Sequence, residues 1–295
     1  MNVKIDETLL IELISQKINQ PVTSRQMLPV TGGSINNCFR IVVNNEFMYF
    51  VKSNSVSAFP SLLEKEQNGL TFIASQKIIR VPQIIAHHVK GDQQYLILEW
   101  IEPGVKNGTF WKLFGEQLAA LHKISYGSYG FQEDNYMGAL PQSNAFSENW
   151  TGFFIHYRLE TQTNLALQKG LLLPQHLRLF ERLYKKLGEI FNEEAPSLLH
   201  GDLWSGNFIS AINGDPVLID PAVYFGHRNM DLGMTTLFGG FERSFYESYH
   251  YHFPFTDNYR DQWEICNLYP LLIHLNLFGT GYLPDIEAVL KKFVG

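Results

Sequence analysis

Three side chains in one short stretch have the types and the spacing for phosphoryl-transfer chemistry. Asp202 lies in the run Leu199-His200-Gly201-Asp202-Leu203-Trp204-Ser205-Gly206-Asn207, and Asn207 follows it by five residues. Asp220 comes 13 residues after Asn207, closing the apolar segment Leu218-Ile219 ahead of Pro221. Moving a phosphoryl group demands alignment and charge neutralisation more than covalent help. A carboxylate at 202 would orient an acceptor hydroxyl and take its proton, which is general-base work. The amide oxygen of Asn207 and the carboxylate of Asp220 are hard donors suited to Mg²⁺ shared with substrate phosphates. Any one of the three alone reads as an Asx turn or a helix cap. The chemistry rests on the set.

The same offsets occur in the catalytic loop and metal site of protein kinases. In that scheme the Asp removes the proton, so His200 is expected to hold the loop by hydrogen bonding. Trp204, two residues past the base, either packs in the core or walls the acceptor pocket. Upstream, Thr31-Gly32-Gly33-Ser34-Ile35-Asn36 lies between two expected strands. Glycines let backbone N–H groups approach phosphates closely, although such a turn also serves ordinary hairpins. Lys52 stands near the end of the apolar strand Phe47-Met48-Tyr49-Phe50-Val51 and is read as the cation on the nucleotide phosphates. It needs a carboxylate to hold it. Glu64 and Glu66 on the next helix are two apart and cannot share a face. Glu66 is preferred, with Glu64 as the alternative. Cys38 reads as a small, partly buried thiol. His87-His88 and His250-Tyr251-His252 lack a metal-ligand pattern and read as solvated histidines.

The elements that must position these groups change character along the chain. Asp6 starts a helix with Leu9, Leu10, Leu13, Ile14 and Ile18 on one face, ended by Pro21. Strands are expected between Gln26 and Ser53, with Asn44-Asn45 turning a hairpin. A helix over 60–74 and two strands over 83–89 and 95–100 follow. After Pro103-Gly104 the pattern turns helical, over 110–123, 148–168, 174–191 and most of the chain from Asn229. A strand-rich part before a helical part indicates α+β architecture.

The chain has 295 residues, 45% of them hydrophobic and 14% aromatic, enough for a sizeable core in two lobes. The formal net charge of −6 argues against a nucleic-acid or anionic-membrane partner. Two cysteines suggest no disulfide framework and fit a reducing compartment. The N-terminus lacks a signal-peptide pattern, and the richest apolar run, 269–281, is interrupted by Pro270, His274 and Asn276. A cytoplasmic location is the expectation.

These residues resemble the fructosamine kinase (ketosamine-3-kinase) family. The likeness rests on His200–Asn207, on Leu218-Ile219-Asp220-Pro221-Ala222, and on the run from Tyr224 to Leu232 with Leu237-Phe238-Gly239-Gly240-Phe241. It extends to Asp134–Gly138, Pro141–Asn144, Trp150, Phe153-Phe154, Arg158-Leu159 and Leu268–Gly279, and covers about residues 32–283. The resemblance implies a protein-kinase-like bilobal fold, with residues 1–102 as the phosphate-binding N-terminal lobe. Residues 103–295 would form the helical lobe with the catalytic loop, metal and acceptor site. It implies ATP and Mg²⁺ as cofactors and phosphorylation of ketosamines, free or protein-bound, on the sugar O3, giving an unstable product that releases the amine. It puts the base on Asp202, metal ligands on Asn207 and Asp220, and phosphate contacts on Gly32, Gly33, Ser34 and Lys52 with Glu66. An adenine-contacting hinge falls on Glu99, Trp100 and Ile101, and acceptor contacts on Trp204, His274 and Asn276. Two departures stand out. Ile273 precedes His274 where the family commonly has Asn, and Ser34 stands where some members carry a redox-active cysteine. That behaviour is therefore not transferred to Cys38.

Two rivals remain at this level. A related kinase acting on choline, an aminoglycoside or another alcohol shares the Asp202–Asn207 layout; Trp204-Ser205 and Asn276-Leu277-Phe278-Gly279 favour the ketosamine reading. A non-catalytic kinase-like module would be expected to have lost one of Lys52, Asp202, Asn207 or Asp220, and all four are present.

Overall fold

A computed structural model describes residues 5–31 and 35–295. The chain groups into two units, Met1–Val105 with Ile209–Asp220, and Lys106–Phe208 with Pro221–Gly295.

The first unit is built on an antiparallel sheet of β1 (Arg25–Val30), β2 (Asn37–Val43), β3 (Phe47–Ser55), β4 (Ile84–Lys90) and β5 (Gln93–Glu99), ordered β1-β2-β3-β5-β4. Asn44 and Asn45 both take positive φ, 54° and 56°, the conformation that turns a tight hairpin without splaying its strands. Helix α1 (Glu7–Ile18) starts where expected, because the Asp6 carboxylate accepts a hydrogen bond from Leu9 N at 3.0 Å. Its Leu9, Leu10 and Ile14 pack with Ile41, Val43, Val51 and Ile97 of the sheet. Strand alternation turns Lys52 to the opposite face from Val51, the side that carries α2 (Leu62–Gln76). The returning segment forms a hairpin from Phe208–Ser210 and Pro216–Leu218, and Ala211 and Val217 bury Ile101 in a small core.

The second unit is mainly helical. Helix α3 (Gly108–His122), capped by Asn107, packs against Arg243–His252. Phe110, Trp111, Phe114, Phe208, Phe241 and Phe245 form a contiguous aromatic core. The helix expected over 148–168 is interrupted. Trp150–Phe154 and Thr161–Gln168 are α-helical, but Ile155–Glu160 winds as a wider π turn. That turn carries Arg158, fully buried, with Nη1 donating to Ser143 O at 2.6 Å and Nη2 to Asn144 Oδ1 at 2.7 Å. The helix expected over 174–191 also breaks, into Pro174–Tyr184 and Leu187–Ile190, where Lys186 N turns back onto Leu183 O. The apolar run near the C-terminus is the buried helix Leu268–Phe278, too short to span a bilayer. No helix among the described residues is long and apolar enough to cross a membrane.

Candidate active site

In the first unit, Lys52 Nζ donates to Glu66 Oε1 at 2.7 Å and to Asp220 Oδ1. Of the two carboxylates weighed for this lysine, Glu66 is the one in contact. It is buried on the sheet-facing side of α2, and Glu64 is exposed. Burial works against the Lys52 charge, but Asp220 and Glu66 outweigh it and hold the ammonium well above the usual lysine range. Burial pushes Glu66 up to about 7 against the pull of Lys52. Asp220 keeps 43% of its side chain exposed and sits in the left-handed region at φ 56°, a conformation Asp tolerates better than most residues. Lys52 takes one of the two Asp220 carboxylate oxygens.

The side chains of Glu99, Trp100 and Ile101, the expected hinge, are engaged by neighbouring residues or buried. The Glu99 carboxylate pairs with Arg80 and accepts from Gln83 N at 3.0 Å. The Trp100 indole donates to Glu102 at 2.9 Å, with the Arg40 guanidinium 4.9 Å from its ring centre. Ile101 is buried. Gly32, Gly33 and Ser34 lie outside the described residues. The Cys38 thiol is pushed up to about 11 by burial, the reverse of a reactive thiolate.

In the second unit, the strand Ser197–Leu199 pairs with Tyr224–Gly226 and leads into the catalytic loop. His200 O accepts from Ala222 N at 2.8 Å. Gly201 has φ 84°, and a Cβ there would run into Ala222 O, so position 201 demands glycine. Leu203 is fully buried and pins the loop. Asp202 N donates to His200 Nδ1 at 3.2 Å, so that ring nitrogen acts as an acceptor inside the loop. Asn207 Nδ2 donates to both Asp202 O and Asp202 Oδ2 at 2.8 Å. This orients the carboxylate and turns Asn207 Oδ1 away from it. Trp204 is 36% exposed, so its ring is not a core residue. His274 is half-buried with Nδ1 donating to Pro270 O at 2.7 Å. The Asn276 amide donates to Gln162 O and Gln162 Oε1 at 3.0 Å, deep among the helices.

Asp231, quoted above only as part of a likeness, is the residue that sequence reasoning missed. Its Oδ2 accepts from His200 N at 2.7 Å, and its Oδ1 from Gly201 N at 2.9 Å. His122 Nε2 donates to Oδ2 at 3.1 Å, and a carboxylate can only accept. His122 Nδ1 is therefore the acceptor for Tyr249 OH at 2.8 Å in the neutral ring. A buried acid at a helix start, Asn229–Leu237, was the available signal, but the partner loop lies some 30 residues away. The mid-chain residues serve a similar end: Gln142 Nε2 donates to Asn135 Oδ1, and Asn135 Nδ2 to Val223 O, each at 2.8 Å, bracing the segment that follows Asp220.

Among the described residues no group of three His, Cys, Asp or Glu side chains forms a metal cage. The amide oxygen of Asn207 and the carboxylate of Asp220 are each hard donors of the kind that magnesium takes singly beside phosphates and water.

The fructosamine kinase family model matches residues 7–295. The chain is 39% identical over 280 residues to a "probable ketoamine kinase" of Synechocystis sp., covering 95% of this chain and 94% of that protein. It is 34% identical over 273 residues to the chloroplastic protein-ribulosamine 3-kinase of Oryza sativa subsp. japonica, covering 90% and 78%. The crystal structure of a candidate fructosamine-3-kinase from Thermobifida fusca superposes with TM-score 0.86 at 27% identity, over 98% of each chain. Amicoumacin kinase, at TM-score 0.55 and 16% identity over 98% of this chain and 92% of its own, shares the fold alone. The antiparallel-sheet unit and the helical unit are the two lobes of a protein-kinase-like fold. The chain belongs to the fructosamine kinase family and is an ATP-dependent phosphotransferase with a hydroxyl group as acceptor.

Proposed function

We propose that this protein transfers the γ-phosphoryl group of ATP to the 3-hydroxyl of a ketosamine, and that the phosphorylated product breaks down to release the amine. The observation that carries this reading is the loop itself, where the Asn207 amide donates to both the backbone carbonyl and the carboxylate of Asp202 and so orients its side chain. A base so held can take one hydroxyl proton from one direction, and positioned bases contribute about 10²–10⁴-fold. Residues 1–102 handle the nucleotide phosphates. Lys52, held by Glu66, neutralises their charge, the family resemblance assigns further phosphate contacts to Gly32, Gly33 and Ser34, and Glu99, Trp100 and Ile101 offer backbone groups to the adenine. Residues 103–295 supply the catalytic loop and the acceptor contacts Trp204, His274 and Asn276. Asn207 and Asp220 would hold Mg²⁺, which when bound screens the phosphate charge. The acceptor class is supported by the names of the relatives, a ketoamine kinase and a protein-ribulosamine 3-kinase.

The test is incubation with Mg-ATP and ribulosyl, erythrulosyl and fructosyl amines, free and on protein lysines, beside choline and an aminoglycoside. Mass spectrometry is expected to find phosphate on a ketosamine, and fragmentation to place it on O3. Phosphate only on choline or the antibiotic refutes the reading.

A further inference from the structure

Beside the catalytic loop the helical unit carries an open cluster of rings. Trp204 stands edge-on to Phe238 with centroids 5.8 Å apart, and Phe238 lies 4.9 Å from the His274 ring. His274 in turn has Phe278 at 5.5 Å and Tyr282 at 5.0 Å. Such rings usually end in a core, yet Phe238 is 39% exposed and Phe278 56%. The arrangement is held from below. The Trp204 ring lies against Gly206, where any side chain would collide with it, and a Cβ on Gly240 would come within 2.6 Å of Ser205 Cβ. The cluster is thereby tied to the loop that bears Asp202.

The His274 tautomer follows from its one bond. Pro270 O can only accept, so Nδ1 carries the hydrogen. Burial also holds the ring below the ordinary imidazole range. The neutral ring therefore keeps a lone pair on Nε2, for which no hydrogen-bond partner is found among the described residues. The cluster thus contains ring faces and one acceptor nitrogen, and no carboxylate. Ring faces attract cations. A ketosamine carries such a cation close to its reacting sugar, the secondary ammonium joining the sugar to the rest of the amine.

We propose that Trp204, Phe238, His274, Phe278 and Tyr282 form the subsite for the ammonium end of the acceptor. The ring faces hold the charge, and His274 Nε2 accepts one of its N–H groups. The inference rests on the ketosamine reading and adds that the enzyme selects the charged nitrogen as well as the sugar. One subsite serves a free amine and a protein lysine alike, since the nitrogen is the same in both.

The test compares a fructosyl or ribulosyl amine with its N-acyl analogue, which carries the same sugar but no charge. The wild-type enzyme is expected to favour the ammonium form at least tenfold in kcat/KM. Phe278→Leu and His274→Leu are expected to raise KM for the amine about tenfold, to leave KM for ATP unchanged, and to shrink the preference over the neutral analogue. The same shift is expected for a glycated peptide as for a free glycated amine. Equal use of charged and neutral acceptors by the wild type overturns the proposal without any variant, as do variants that lose both acceptors equally. Ketosamine turnover that persists in either case leaves the proposed reaction standing and removes only the subsite. An enzyme that phosphorylates no ketosamine overturns both.

Discussion

Replacing Asp231 by Asn removes one charge and tests whether that residue holds the catalytic loop. The carboxylate accepts two backbone N–H groups, from His200 and Gly201, and the His122 ring. An amide has one acceptor oxygen. Placed at the Oδ2 position it keeps His200 N and His122, but its NH₂ then faces Gly201 N, donor against donor. An orphaned buried donor costs about 1–3 kcal/mol. The two surviving bonds lose their charge assistance, about 1 kcal/mol each. The sum is about 3–5 kcal/mol, which for a chain of this size lowers Tm by roughly 5–8 °C. The larger effect falls on turnover. Gly201 is the residue before Asp202, and a displacement of about 1 Å costs on the order of 10²-fold when reacting groups must be aligned. Asp231→Asn is therefore expected to fold, to lose about 100-fold in kcat in an ADP-release assay, and to keep KM for ATP within a factor of about three. A variant with near-normal kcat and unchanged melting would refute the argument that this carboxylate positions the loop.

Asp202→Ala is expected to lower kcat by about 10²–10⁴-fold with little change in melting, and near-normal turnover would remove Asp202 as the base. Lys52→Met strands the Glu66 carboxylate and is expected to cost about 3–5 kcal/mol in urea unfolding, much of it recovered in Lys52→Met/Glu66→Gln; no recovery would contradict the pairing. His227 is fully buried between Trp150 and Phe191 and is pushed down to about 4 by burial, against 6.5 when free. Its folded pKa is the lower one, so its contribution is intact above pH 6.5 and lost as pH falls towards 4, up to about 3 kcal/mol. Urea midpoints measured over that window should fall less steeply in His227→Gln than in the wild type.

Much of the framework was legible because it is local. Asp6 three residues before Leu9 is a helix cap in any context, and Asn44-Asn45 between apolar runs is a hairpin. Strand alternation sets Lys52 and Val51 on opposite faces of β3. The five-residue offset between Asp202 and Asn207 was legible because a short loop constrains what its own side chains can reach, and Asn207 does bond Asp202. The π turn at Ile155–Glu160 was not legible, because it exists to bury Arg158 against Ser143 and Asn144, contacts with a distant segment.

By itself the sequence determined the reaction class and nominated candidate residues for it. The tertiary structure decided which neighbours hold them. Glu64 and Glu66 have the same chemistry, and only the rotation of α2 against the sheet brings Glu66 to Lys52. Trp204 suited the core and an acceptor-pocket wall equally; its ring lies against Gly206 and is not in the core. Asp231 reaches the backbone of His200 and Gly201 across a long stretch of chain. Periodicity and capping act over a few residues and are written in the local sequence. Pairings between distant residues depend on how whole elements pack, and no local pattern encodes that.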